Sequence, residues 1–567
     1  MSELHPDIAS LLGPVAPLPL ATSAAGAPPA GSAVPAGGAT LAINGGAYDG
    51  AKRFDELSLF YPPMQSADAD ILPDKDLLDA RTRDIMRNDA YVQGGARLRQ
   101  DNIVGAIYLL NCQPKTKILW GKEDDAWEEE FQEEVESKFM LAAESPRHWF
   151  DVQRVKTLTE MVRLGLGVHT MGGEVLASAE WVRTGGRPFK TAIQMIDADR
   201  LSTPWDKQWS QDIRGGVERD RGGGPIAYHI RNRHPSDYAS RWDDGGSKWT
   251  RVPAYNAWGR QMVLHVYEQL RPDQTRGISS MVAALAEMKM TKGFRKVELQ
   301  RAVVAATYAA SMESDLPSHE VLAMMGGADG NGTDDAATKY MLQYLSSIEA
   351  YSGGSQSLYL DGVKIPVLMP GTKLKLQNPG NGGPMGDKFE QSLLRHIAAA
   401  LGVSYEQLSR DYTQTNYSSA RAAMGETWKF MQSLKKVVAD KVANFVFRLW
   451  FEEAINTGQI ETLKRRNVPN FYEGLNADAY TACEWIGAGQ GLIDPYKETQ
   501  AYKLQVDSGF TTRERVIARL YGGDWRKEIK QMAREKRHIE RNGLSFDPVP
   551  PAGAAASNDS ADEKDAA

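Results

Sequence analysis

Cysteine is nearly missing from this sequence: Cys112 and Cys483 are the only two in 567 residues. They lie far apart along the chain, which excludes a disulfide framework and fits a reducing compartment, with two ordinary buried thiols as the plain expectation. Uninterrupted apolar runs of about eighteen residues are also missing, which argues against a transmembrane helix. No basic segment followed by an apolar core opens the chain, so no secretory signal is expected. Positive charge is not in excess either. The net charge is −7 and the isoelectric point about 5.9, which is not the footprint of tight phosphate binding by the whole chain. It is compatible with a protein that lets a polyanion slide past without holding it.

Catalytic signatures are equally scarce. The nearest approach to a phosphate-binding loop, GNGGPMGDKF (Gly380–Phe389), places Asp387 between glycine and lysine and lacks the following hydroxyl. There is no Gly-x-Ser-x-Gly elbow. The histidines are scattered; His229 and His234 are the nearest pair, without metal-ligand spacing on a helix. GGADGNGTDD, with Asp329, Asn331 and Asp334, resembles a calcium loop but lacks the closing glutamate. No catalytic residue, metal or cofactor is expected, and the chain reads as a non-enzyme.

What is present is a globular composition, 42% hydrophobic and 25% charged, long enough for roughly two to four structural units. An Ala/Gly/Pro-rich arm at the start and an acidic tail at the end are expected to be disordered. LPDKDLLDARTRDIMRNDAYVQGGARLRQDNIVG predicts a helix, a turn at Asn88–Asp89 and a second helix. The acidic stretch after Trp120 predicts a helix with Trp127, Phe131, Val135 and Phe139 on one face. Its carboxylates suit a solvated face, or an acidic contact surface for a neighbour. From Glu174 to Ile230 short strands are expected, in EVLASAEWVR, TAIQMIDADRLSTP and GPIAYHIRN. A long helix follows from Arg276 to Ser311, with Gly293 a potential break. Lys289, Lys292, Arg295 and Lys296 cluster on it, and Lys435, Lys436 and Lys441 on another helix. Two or three further helices are expected between Gly491 and Asn542. The fold class is α+β, mostly helical.

The order of these segments resembles the portal protein of lambda-like tailed bacteriophages. The resemblance is carried by YDGAKRF, SADADILPDKDLLDARTRDIMRNDAYVQGG, QMIDADRLSTP and GVERDRGGGPIAYHIRNRHPSD. It continues in LMPGTKLKLQNPGNGGPMGDKFEQSLLRHIAAALGVSYEQLSRDYTQTNYSSARAAMGETW and GLIDPYKETQAYKLQVDSGFTTRERVIARLYGGDW. It spans about Tyr48 to Asn542, strongest from Pro370 to Ala423. It implies a homo-oligomeric ring, usually of twelve subunits, at one capsid vertex. Double-stranded DNA is packaged and ejected through that ring. Implied partners are the large terminase, the major capsid or scaffold protein and head-completion or tail adaptor proteins; no membrane is involved. The implied location is the virion, after assembly in the host cytoplasm. Mapped by order, residues 1–47 form the arm, 48–275 an N-terminal wing, 276–312 a stem helix and 313–385 a clip. Residues 386–402 then form a second stem helix, 403–418 a tunnel loop and 419–490 a long wing helix with the remaining wing. Residues 491–545 form a helical crown and 546–567 the tail.

Within this mapping Tyr412, Thr413, Gln414, Thr415 and Asn416 are the DNA-channel residues, polar and uncharged, with Ser418 or Ser419 capping the following helix. Lys289, Lys292, Arg295 and Lys296 face the channel or the adjacent subunit. The alternatives are a minor capsid protein without a channel, or a packaging enzyme.

Overall fold

The computed structural model describes residues 60–543, apart from 61, 238–247, 308–345, 347–356, 361–362, 367–383, 414 and 493. The elements below belong to one unit that begins at Gln65. After a five-residue helix, Ala67–Ile71, its first two long helices are separated by a single residue. The Asp89 amide donates to the Ile85 carbonyl at the end of α1 (Lys75–Asn88). Its carboxylate accepts from the amides of Tyr91 and Val92 at 2.9 and 3.1 Å, opening α2 (Ala90–Ile103). The expected helix–turn–helix thus rests on one aspartate.

After β1 (Leu109–Cys112), helix α3 (Asp125–Ala143) buries Phe131, Val135 and Phe139 completely, as the spacing of its apolar residues requires. Helix α4 (Leu158–Gly172) opens with a Thr157–Glu160 capping box. It ends at Gly173 (φ +76°) and passes directly into β2 (Glu174–Trp181). Strand β2 is the centre of an antiparallel three-stranded sheet, flanked by β3 (Thr191–Ile196) and, later in the chain, by Val263–Tyr267. A second antiparallel sheet runs in chain order through β4 (Ile213–Arg214), β5 (Val217–Arg219), β6 (Pro225–Arg231) and β7 (Trp249–Pro253). Strand β8 (Val263–Tyr267) closes the first sheet. Strands β7 and β8 lie beyond the region where strands were expected; each is a five-residue run too short to declare itself.

Helix α5 (Leu285–Thr307) starts nine residues later than expected, after a 3-10 stretch at Ser280–Ala284 capped by the Ser279 hydroxyl. It passes through Gly293 without a break. Strands β9 (Ser357–Leu360) and β10 (Val363–Pro366) pair antiparallel. Helix α6 (Pro384–Leu401) is followed by the short helix Tyr405–Ser409, so the expected loop at 403–418 is in fact half helical. Helix α7 (Tyr417–Leu434) continues through one π-helical turn, Lys435–Ala439, into α8 (Asp440–Asn456).

Helix α8 is apolar on most of its circumference and forms the core. Trp450 and Phe447 both sit edge-on to Phe139, each at 5.1 Å, and Phe451 meets Phe131 at 6.0 Å. Strand β11 (Cys483–Ile486) pairs with β1, and Cys112 stands directly opposite Cys483. The two cysteines, far apart in sequence, are thus neighbours in space as free thiols. Burial holds the Cys112 thiol well above its ordinary range and pushes Cys483 up to about 12, which keeps both protonated. Helices α9 (Pro495–Asp507), α10 (Arg513–Tyr521) and α11 (Trp525–Arg541) close the described chain. No helix among the described residues is long and apolar enough to cross a membrane.

Candidate functional site

The two helices expected to form a stem lie side by side. Glu287 is 3.7 Å from His396, Phe294 meets Phe389 edge-on at 5.4 Å, and Arg295 donates to Glu390 at 2.6 Å. Partner numbers that fall as one helix rises make α5 and α6 an antiparallel pair. The basic cluster on α5 is divided by this packing. Arg295 also lies over the Tyr91 ring at 4.4 Å, so it has partners within its own chain while staying partly exposed. Lys292 reaches the Asn88 carbonyl at 3.4 Å. Lys289 and Lys296 are exposed and form no ion pair among the described residues. On the other helix, Lys435 and Lys436 both pair with Asp440, at 3.0 and 3.5 Å.

The loop after α6 is ordered by its own side chains. Ser404 and Gln407 form a capping box on the short helix, and Thr427 of α7 donates to Gln407 at 3.0 Å. That helix ends at Arg410, which is left-handed (φ +59°) although it is not a glycine. Asp411 then accepts from both the amide and the hydroxyl of Thr413, at 3.0 and 2.6 Å. The Thr415 amide donates to the Tyr412 carbonyl at 3.2 Å. The cap of α7 is Asn416, whose Oδ1 accepts from the Ser419 amide at 2.8 Å; the expected serine cap is corrected to asparagine, one residue before the helix. Tyr412 and Tyr417 stand exposed at either end. Gln414 lies outside the described residues.

The acidic face of α3 is mostly engaged within the chain. Glu134 caps the 461–464 helix by accepting from the amides of Glu461 and Thr462, at 2.7 and 2.9 Å. Glu130 pairs with Arg465, and Glu133 with Lys530 of α11. Glu136 is buried and accepts from the Cys112 amide at 2.8 Å.

A buried charge cluster lies where the chain enters α5, and nothing local in the sequence announces it. Glu174, fully buried, receives Arg276 at 2.6 Å, Lys75 at 3.1 Å, His265 at 2.9 Å and the Gly277 amide at 3.1 Å. Arg276 donates onward to the carbonyls of Ala198, Leu201 and Gly215, and Lys75 to those of Gly172 and Gly277. Burial opposes ionisation of Glu174, but Arg276 and Lys75 outweigh it and hold the carboxyl well below its usual range. Asp79 beside Lys75 is raised to about 6 because burial outweighs that lysine's pull. Burial also lowers His265. At the same place Gly173 and Gly277 cross main chain to main chain. A methyl group on Gly277 would stand 2.2 Å from the Gly173 carbonyl oxygen.

The histidine pair has ordinary partners: His229 contacts Glu218, and His234 contacts Asp199 and Ser236. Asp197, Asp199 and His234 converge closely enough to hold a cation, and the Arg83 guanidinium already lies against both carboxylates. The calcium-like residues Asp329, Asn331 and Asp334 lie outside the described residues. Pro384–Phe389, the described part of the phosphate-loop-like segment, is helical.

The site thus consists of an antiparallel helix pair and an exposed polar loop, with no catalytic constellation among the described residues. Residues 55–435 match the family described as phage portal protein, lambda family. Portal protein B of Escherichia phage lambda is 34% identical over 527 residues, covering 93% of this chain and 95% of that protein. The portal protein of Escherichia phage N15 is 34% identical over 517 residues, covering 90% and 92%. The probable portal protein of a Halomonas phage, phiHAP-1, is 24% identical over 480 residues, covering 84% and 83%. The chain belongs to the lambda family of phage portal proteins. Among solved structures, the neck of a native gene transfer agent particle computed with C12 symmetry aligns at a TM-score of 0.37 and 13% identity, covering 79% of this chain and 99% of that one.

Proposed function

We propose that this chain assembles with copies of itself into a ring at one vertex of a phage capsid, and that double-stranded DNA passes through the ring during packaging and ejection. The observation that carries the reading is 34% identity to portal protein B of phage lambda across 93% of the chain. In this reading α5 and α6 are the stem, and 403–418 is the tunnel loop, with 412–416 its uncharged channel residues. The loop's chemistry suits the role: Tyr412, Thr413, Thr415 and Asn416 offer hydrogen bonds without charge, so they touch phosphates without holding them. Lys289 and Lys296 are the members of the basic cluster free to face the channel or a neighbouring subunit. The clip, at 313–385, is the surface for terminase and then for head-completion or tail proteins. The chain is a structural conduit rather than an enzyme, and it works in the virion after assembly in the host cytoplasm.

Negative-stain images of the purified chain test the reading: a ring with a central hole is expected, and sheets, closed shells or monomers would overturn it. Replacing Thr413, Thr415 and Asn416 by lysine is expected to slow packaging, read as DNA content per particle. Unchanged content would remove the loop from the channel.

A further inference from the structure

A dense stripe of exposed positive charge lies on α11, a helix that the portal mapping assigns to the crown without any contact of its own. At about 100° per residue, Lys527, Lys530, Arg534, Arg537 and Arg541 fall within an arc of roughly 80° on one face of this helix. All five are exposed. The three carboxylates of the helix, Glu528, Glu535 and Glu540, lie outside that arc. Trp525, Ile529, Met532 and Ile539 occupy the opposite face. Lys530 is the one of the five with an ion-pair partner among the described residues, Glu133 at 2.6 Å, and both ends of that pair are half exposed. The stripe runs about 20 Å along the helix axis. It belongs to a chain whose net charge is −7, so the remainder of the molecule is more acidic still.

We infer that this face of α11 is a non-specific binding surface for the phosphate backbone of double-stranded DNA, separate from the tunnel loop; the identity of the polyanion rests on the proposed conduit function. A row of Lys and Arg with no apolar residue among them lacks the aromatic anchor of a protein–protein hot spot. It matches a continuous polyanion, which presents a phosphate charge about every 1.7 Å of duplex and is held through release of counterions. Repetition around a ring multiplies a contact that is weak in one subunit. Holding DNA here, while the loop merely lets it pass, divides retention from transit between two surfaces of the same chain.

The test uses the full chain and a random-sequence DNA duplex, with binding followed by fluorescence anisotropy across a salt series. R534Q/R541Q removes two exposed charges that have no ion-pair partner among the described residues. R81Q/R87Q makes the same change in net charge on exposed positions of α1. The α11 variant is expected to bind roughly tenfold more weakly, with a salt dependence shallower by about 0.9 per lost phosphate contact. Equal losses in the two variants overturn the inference, as does binding of phosphatidylserine vesicles in place of DNA. Images of the same preparations separate the two readings. A holed ring with unaltered DNA binding sinks the α11 surface alone, whereas the absence of a ring sinks the conduit.

Discussion

Glu174 shows how a single side chain can fix the relation between distant parts of the chain. It holds Arg276, Lys75 and His265 together, residues about a hundred positions away on either side. Replacing it with glutamine leaves two buried cations short of a counter-charge. The expected cost is about 3–5 kcal/mol in urea unfolding, well beyond an ordinary surface substitution. His169 supplies a pH dependence. Burial, with Arg99 adding to it, depresses this histidine to about 4, and neither ring nitrogen has a hydrogen-bond partner among the described residues. Between pH 6.5 and 4 the unfolded chain therefore binds the proton that the folded chain refuses, so stability falls as pH falls through that window. His169→Leu should remove about 3 kcal/mol of the loss, read as the variant-minus-parent difference at pH 4 against pH 7.5. Asp79 works in the opposite direction, since its raised carboxyl favours the folded chain as pH drops through about 6.

Elements differed in how openly the sequence declared them. Phe131, Val135 and Phe139 recur every fourth residue and announced α3; Asp89 announced the break between α1 and α2. The start of α5 was not legible, because residues 276–279 are held out of the helix by buried partners from other segments. The basic cluster was legible as composition but not as geometry: only the packing of α6 reveals that Arg295 pairs with Glu390. The expected serine cap failed because Asn416 precedes both serines and reaches the Ser419 amide first. Asn416→Ala should therefore cost about 1 kcal/mol, confined to the start of α7. Faster hydrogen exchange at the amides of Tyr417 to Ala420, with the rest of the chain unchanged, is the expected signature.

Across the whole molecule, the order of segments said more about function than any motif did, because a conduit needs shape and charge placement rather than a reactive group. The mostly helical α+β character and the family were legible in the sequence. The network around Glu174 was not, since its members come together only once the sheet and both glycines are in place. That glycine crossing also limits how the molecule can move. Two main chains in direct contact leave no side chain to shorten and no gap to close, so the joint acts as a fixed pivot rather than a spring. A swing of α5 against the sheets is therefore not taken up at this crossing, and the first turns beyond it are the 3-10 turns of Ser280–Ala284. Force applied along the helix pair would reach the body of the protein through that pivot together with the contacts of Lys292 with Asn88, Arg295 with Tyr91 and Leu401 with Arg99.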